Sequence, residues 1–380
     1  WHVYDVTHQP VALGLVGLVR IVPVVGLSLV SGLAADRFDR RKLMMFTQTG
    51  MAVCAALLGL LAVSGAKAVW PIYLLAALSS AFGAFDLPAR QSLIPNLVPR
   101  EDLPNAFSVN STMMQAASVA GPALAGTVIA QAGVQWAYWF NAASFLAVIV
   151  ALLAMHVRPT IARADRPAVS VGAALEGLRF VRRTPIILST MLLDFIATFF
   201  SSANALLPIY AKDILHVGPA GYGWLYAAAA VGALVAAFIL TFVRTINKQG
   251  PVLIMAVLIY GSATVLFGFS TVFVAAFLAL ALTGAADTVS TVIRSTLRQL
   301  NTPDHLRGRM VSVNMMFFMG GPQLGEMEAG LVAAWLGAPF SVISGGVACI
   351  AVTLWVARRW PQLWRYSQQP IPPAATASAD

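Results

Sequence analysis

Gly32-Leu-Ala-Ala-Asp36-Arg37-Phe-Asp39-Arg40-Arg41-Lys42 is the stretch that decides the fold. From Asp36 to Lys42 it holds six charged residues in seven positions, with apolar sequence on both sides. Upstream, Pro10–Ala35 carries one charge, Arg20; downstream, Leu43–Ala66 carries none. A dense, mainly basic turn between two bilayer-length apolar stretches marks a membrane surface. Its excess of Arg and Lys assigns it to the inner side.

Composition agrees. The chain has 380 residues, 59% of them apolar and only 10% charged, against about 25% charged in soluble domains. In lipid only helices or closed barrels satisfy every backbone group, and barrel strands alternate in polarity. Here the apolar runs are continuous over about 20 residues, the length of a spanning helix. The fold class is therefore an all-α integral membrane bundle. The net charge of +9 would suggest nucleic acid for a soluble protein; here topology accounts for it, and no nucleic-acid partner is expected. Cys54 and Cys349 lie inside apolar spans and read as packing residues, with no metal site. The chain opens on Trp1 without a signal peptide, and Trp1–Thr7 reads as the end of a first helix largely missing from this chain.

Spans are expected at Pro10–Ala35, Leu43–Ser64, Trp70–Arg90, Asn105–Gln131, Trp136–His156, Pro185–Ala211, Ala220–Val243, Pro251–Ser270, Val272–Arg298, Gly308–Ala334 and Ala338–Ala357. With Arg37–Lys42 inside, the other loops alternate. Of 24 Lys and Arg, only Lys67 and Lys212 then fall in outer loops and Arg20 within a span; all others lie inside. That asymmetry fixes the orientation.

The longest polar stretch, 157–184, falls halfway. Its apolar residues at 171, 174, 175, 178 and 181 form one helical stripe opposite Glu176, Arg179, Arg182 and Arg183, as in an amphipathic helix on the inner surface. The expected organisation is an N-terminal helical half over 1–156, an inner linker over 157–184, a C-terminal six-helix half over 185–357, and a disordered inner tail over 358–380. The halves repeat. Gly83 and Asp86 match Gly284 and Asp287, Arg90 matches Arg294, Ser108-Val-Asn110 matches Ser312-Val-Asn314, and Gly121-Pro122 matches Gly321-Pro322. The offset stays between 200 and 204 residues. Parallel six-helix repeats are a transporter architecture.

At these residues the chain resembles the major facilitator superfamily. Gly32-x-x-x-Asp36-Arg37-x-x-Arg40-Arg41 is similar to that family's signature loop. Ala117-x-x-x-Gly121-Pro122-x-x-Ala125-Gly126 resembles the motif of its proton-coupled antiporters, with two glycines replaced by alanine. Trp1-x-Val-Tyr4-Asp5-x-Thr7, Tyr222-Gly-Trp-Leu225-Tyr226-Ala and Thr302-Pro303-x-x-Leu306-x-Gly308-Arg309 resemble the branch that includes the enterobactin exporter and macrolide-efflux-like proteins. The resemblance implies a twelve-helix bundle in two six-helix repeats, working as a monomer with no cofactor. It also implies that Asp36 sits at the N-terminus of the Gly308–Ala334 helix, while Arg37 or Arg40 reaches Asp86 beside Arg90. Those contacts would form an inner gate that holds the outward-facing state.

Ionisable residues inside spans are costly and need a reason. Thr190, Asp194, Thr198, Ser201 and Ala205 form a polar face on one span, and Thr283, Asp287, Ser290, Thr291, Arg294 and Arg298 form another. Ser79, Gly83, Asp86 and Arg90 make a shorter version. By the resemblance these stripes would face a central cavity; the plain alternative is hydrogen bonding between helices. Asp194 has no basic residue one turn away on its own helix. Glu326 shares a face with Ser312, Met319, Gln323 and Gly330, while Glu328 points about 200° away. One of the two acids could pair with Arg20. Asp194, Thr198, Asp287 and Glu326 are the candidates for the cavity and for proton coupling. Gly121-Pro122 and Gly321-Pro322 read as bends at the interface between halves, and Trp136, Tyr138 and Trp139 as interface anchors.

With Phe195, Phe199, Phe200, Phe317, Phe318, Met315 and Met316 read as cavity residues, a bulky amphipathic substrate is expected. The leading function is proton-coupled export of a drug-like or siderophore-like small molecule across the bacterial inner membrane. An importer, a narrow siderophore exporter and a transport-inactive sensor or scaffold are the alternatives. The five His form no metal spacing, no nucleophile and base pair is visible, and no nucleotide-binding loop is present. Enzyme and ATP-driven pump are set aside on those grounds.

Overall fold

Two residues, Phe38 and Asp39, separate helix α2 (Pro10–Arg37) from α3 (Arg40–Val63). Asp39 makes so tight a turn possible. Its carboxylate accepts from the backbone N–H groups of Arg41 (2.9 Å) and Lys42 (3.4 Å), capping two donors that the first turn of α3 leaves open. The Arg41 guanidinium then donates to the Leu153 carbonyl at 3.0 Å. A cation thus meets the unpaired carbonyl end of a neighbouring helix, so Arg41 does more than mark the topology.

The computed structural model describes residues 1–65, 68–93, 97–155, 171–200, 203–243, 246–303 and 306–367. The short α1 (His2–Thr7) precedes α2 and α3. Then come α4 (Trp70–Leu93), α5 (Leu103–Ala132), α6 (Val134–Ala154), α7 (Val171–Arg183) and α8 (Pro185–Phe200). The expected single span Pro185–Ala211 is not one regular helix. After α8 come a 3-10 turn (Ala203–Leu206), the three-residue α9 (Leu207–Ile209) and a π turn (Tyr210–Ile214). Pro208 lacks the N–H that a continuing α-helix would need there. The chain finishes with α10 (Gly218–Phe242), α11 (Gln249–Gly268), α12 (Phe273–Leu300), α13 (Arg307–Leu336), α14 (Ala338–Arg359) and α15 (Pro361–Trp364).

Ten segments among the described residues are long and apolar enough to cross a membrane. The 30-residue α13 is not one of them, although a span was expected there. It carries Gln323, Glu326 and Glu328 in its outer half, and two of these face the interior of the bundle rather than lipid.

Packing repeats as the sequence does. In the first half α2 packs on α4, α3 on α4, and α3 on α6; in the second, α10 packs on α12, α11 on α12, and α11 on α14. The halves meet along two equivalent seams, α5 on α10 and α13 on α2. Both seams close on glycine in their outer portions. A β-carbon at Gly126 would stand 2.6 Å from the Pro219 carbonyl oxygen, and one at Gly330 would stand 2.9 Å from the backbone of Gly14. Only glycine permits backbones to approach so closely.

Two inner segments differ from expectation. Val181 of α7 is buried with Ile187 and Met191 of α8 and Met310 and Val313 of α13, so this helix is seated on the second half. Residues 358–367 are not a loose tail. Leu363 is fully buried beside Leu253, the Gly250 N–H donates to the Tyr366 carbonyl at 3.1 Å, and Asn301 donates to the Tyr366 hydroxyl at 3.1 Å. The linker segment 157–170 and the tail 368–380 lie outside the described residues.

Candidate functional site

A cavity of about 950 Å³ lies between the halves. Helix α2 contributes Leu13, Val16, Arg20, Val24 and Ser31, and α4 contributes Ile72, Tyr73, Ala76, Ser79, Ser80, Gly83, Ala84 and Leu87. Both sets recur every three or four residues, the spacing of one helical face. The small side chains in the middle of α4 make the space. The far wall is polar. Tyr138 and Asn141 come from α6, Asn204 from the 3-10 turn, Tyr222 and Tyr226 from α10, and Gln323 and Glu326 from α13. Trp1 and His2 complete the outer end, and His2 Nδ1 lies 3.2 Å from the Tyr138 hydroxyl.

Above this outer end the halves are latched together. Tyr4 of α1 donates to the Asp213 carboxylate in the π turn, and Lys212 pairs with Asp5 at 2.6 Å. Trp1 packs at a tilt against Tyr222, ring centres 5.6 Å apart, with the Lys212 ammonium 6.0 Å over the Trp1 ring. The π turn brings neighbouring residues Lys212 and Asp213 to the same partner helix. The latch and the two glycine seams join the halves at the outer end of the cavity.

Of the four residues expected to line the cavity, Glu326 does and Asp194, Thr198 and Asp287 are not part of this lining. Glu328 is absent from the lining too, so Glu326 is the acid of α13 that faces inward. Arg20 shares the cavity with it and its charge acts on Glu326. The two form no ion pair, against the expectation that one of these acids would bond Arg20. Asp194 is only 2% exposed and pairs with Arg294 at 2.9 Å and Arg298 at 3.8 Å. Arg294 also reaches Asp287 at 3.2 Å, and Arg298 donates to Asn314 at 2.6 Å. The isolation of Asp194 along its own helix was misleading, because its cations come from α12. Thr198 donates to the Asp194 carbonyl at 2.8 Å and packs against Gly321.

The gate residues divide. Asp86 is buried and accepts from Thr47 (3.0 Å) and Gln48 (2.9 Å) of α3 while pairing with Arg90. Among the described residues all its partners are in the first half. Arg40 begins α3. Gly32, Asp36 and Arg37 fall in the last turns of α2, and their side chains lie outside the described residues. Pro122 and Pro322 lie within unbroken helices, Pro122 with its carbonyl against Gly223 of α10. A β-carbon at Gly121 would meet open space.

The expected apolar wall is corrected. Phe195 stacks on Phe199 and meets Phe317 edge to face, and none of these three rings lines the cavity. Phe200 is equally absent from the lining, and its carbonyl packs against Gly345 of α14. The side chains of Met315, Met316 and Phe318 lie outside the described residues. The cavity aromatics are instead Trp1, Tyr73, Tyr138, Tyr222 and Tyr226, with His2 beside them. Tyr138 was expected to be an interface anchor; it faces the cavity with Asn141, three residues on. A readable signal was present: Tyr138 and Asn141, Tyr222 and Tyr226, and Gln323 and Glu326 are each polar pairs at helical spacing inside apolar spans.

The family described as transmembrane secretion effector matches residues 1–371. Enterobactin exporter EntS of Citrobacter koseri is 30% identical over 371 residues, spanning 97% of this chain and 88% of that protein. EntS of Escherichia coli O81 is 28% identical over 376 residues, spanning 98% and 88%. Among solved structures, a POT family transporter in complex with 5-aminolevulinic acid is similar with a TM-score of 0.73 at 12% identity, covering 93% of this chain and 88% of that one. A bacterial homologue of the human lysosomal transporter Spinster, inward-facing and unoccupied, gives 0.71 at 16% identity, covering 95% and 92%. At these identities the structural likeness speaks for the fold.

Proposed function

Because the chain belongs to the transmembrane secretion effector family of the major facilitator superfamily, we propose that it is a proton-coupled exporter of amphipathic small molecules, working by alternating access in a bacterial inner membrane. One observation carries this reading: the cavity between the halves is latched on its outer side and lined by tyrosines, amides and hydroxyls around Arg20 and Glu326. A cavity of about 950 Å³ falls at the upper end of small-molecule sites. Aliphatic side chains of α2 and α4, with tyrosines, amides and hydroxyls from both halves, suit an aromatic, oxygen-rich amphipath better than a purely apolar one. Relatives bearing the name enterobactin exporter support a siderophore-like substrate.

Glu326 is the coupling group in this scheme. Its ionised carboxylate accepts hydrogen bonds from substrate hydroxyl or amine groups; a proton taken up from outside turns one oxygen into a donor, cancels the charge that strengthens those bonds and so releases the substrate. Proton and substrate then compete for one site, as export against proton entry requires. Arg20 keeps the ionised acid tolerable within the membrane.

The test uses inverted membrane vesicles carrying the full chain, with enterobactin and a cationic dye as probes. An imposed pH gradient is expected to drive uptake of one of them in the wild type. Glu326→Gln is expected to abolish the gradient's effect while leaving binding measurable. Gradient-driven uptake undiminished in Glu326→Gln would remove Glu326 from the scheme.

A further inference from the structure

Glu326 is set at the joint between halves by a glycine on the opposite helix. A β-carbon added at Gly17 of α2 would stand 2.7 Å from Glu326 Oε2 and 3.0 Å from both Glu326 Cβ and the Gln323 carbonyl oxygen. The carboxylate therefore occupies the space that a side chain at position 17 would fill. Gly14, one turn outward, behaves differently: the three atoms nearest a β-carbon there are all backbone, the Glu326 and Met327 carbonyl oxygens at 3.1 Å and Met327 Cα at 3.2 Å. Arg20, one turn inward on the same face, stands exposed in the cavity. Gly14, Gly17 and Arg20 thus present α13 with a packing contact, a seat for the acid and a cation, in that order.

Other groups frame the acid. Tyr222 and Tyr226 of α10 are close enough to interact with the Glu326 charge, and His2 of α1 and Tyr138 of α6 line the same cavity. Helices α2 and α13 belong to different halves, so a change at this seam is felt directly by the motion that opens and closes the outer side.

We infer that Gly17 is a positioning residue for proton coupling: it lets the Glu326 carboxylate lie in the α2–α13 seam, so that gain or loss of its proton sets whether the halves close there. This rests on Glu326 being the coupling group. Enclosing the ionised acid in the seam strips its hydration, a cost that Arg20, which shares the cavity but forms no ion pair with it, offsets only in part. A neutral acid can be enclosed without a counter-charge.

The test is a distance measurement on the full chain in liposomes. Spin labels are placed at Gln131 and Leu336, exposed outer ends of α5 and α13 on opposite halves. In the wild type the outer distance is expected to change with pH about a single midpoint. Glu326→Gln is expected to abolish that response. Gly17→Ala is expected to displace the midpoint by about one pH unit or more, and by more than Gly14→Ala, which alters the packing of the seam without touching the carboxylate. If Gly17→Ala fails to fold, Glu326→Asp, which withdraws the carboxylate from the seat, is read the same way. A midpoint unmoved in Gly17→Ala, or in Glu326→Asp where that stands in, while Glu326→Gln loses the response, overturns the role of Gly17 alone. A response retained in Glu326→Gln overturns the coupling role of Glu326 and this inference with it.

Discussion

The carboxylate of Asp194 lies 2.9 Å from the guanidinium of Arg294, and both side chains are almost wholly buried. With Arg298, Asp287 and Asn314 the pair ties α8, α12 and α13 together inside the second half. Removing one member of a buried ion pair leaves an uncompensated charge and costs about 3–5 kcal/mol. Asp194→Asn is therefore expected to lower the melting temperature and the yield of monodisperse protein in detergent. Fluorescence-detected gel filtration after heating measures both. Wild-type melting together with lost gradient-driven transport would mean that Asp194 carries protons instead of bracing the fold.

The outer latch makes a different prediction, about populations. Lys212 and Asp5 are partly exposed, and such pairs are worth about 0.2–1 kcal/mol each. Lys212→Ala combined with Tyr4→Phe removes the ion pair, the cation above Trp1 and the hydrogen bond to Asp213 together. The outward-open fraction is expected to rise about fivefold or more. Labelling of Ala205→Cys by an impermeant maleimide from the outer side, with Cys54 and Cys349 replaced by serine, reads that fraction. Unchanged labelling would mean that the seams alone hold the outer side shut.

How far the sequence reaches is plain from these two cases. Runs of about 20 apolar residues place the spans to within about three residues, the broken Pro185–Ala211 excepted, because a helix in lipid must satisfy its own backbone and bury or shield few charges. The repeat is legible because equivalent positions meet equivalent partners: Gly126 and Gly330, 204 residues apart, close the two seams. What failed is whatever depends on contacts between distant segments. Asp194 looked unpaired along α8 because its cations lie about a hundred residues later on α12. The phenylalanines looked like cavity lining because helical periodicity tells which residues share a face, not what the face meets. Glu326 was separable from Glu328 by angle, yet only the fold could show which of the two looks inward, and that Gly17 makes room for it.

Asp86 offers a third test. It accepts from Thr47 and Gln48 and pairs with Arg90, joining α3 to α4 near the inner surface. Asp86→Ala leaves the Gln48 amide without this acceptor in a buried site, at about 1–3 kcal/mol for an unsatisfied group, while Thr47 keeps the Met44 carbonyl as an acceptor. Protein stability is expected to fall, and Asp86→Asn, which keeps an acceptor, to restore a large part of it. Thermal unfolding of the three proteins in the same detergent makes the comparison. Equal loss in both variants would show that the charge opposite Arg90 matters more than the hydrogen bonds.

Two glycines of one motif are expected to answer oppositely to the same change. At Gly126 a β-carbon would press on the Pro219 carbonyl oxygen at 2.6 Å and on Gly223 Cα at 2.8 Å, both backbone atoms that cannot swing aside. Gly126→Val must push α5 away from α10, and overpacking of this kind costs about 1–3 kcal/mol. Because the contact is made when the outer side is closed, that cost falls on the closed state and favours outward opening, in the same direction as loss of the latch. At Gly121, five residues inward, a β-carbon meets open space, so Gly121→Ala is expected to leave both transport and the outward-open fraction at wild-type levels. Maleimide labelling of Ala205→Cys in the two variants decides the matter. A large effect at position 121, with none at 126, would place the working contact of α5 inward of the glycine seam and reverse the assignment of that helix's two glycines.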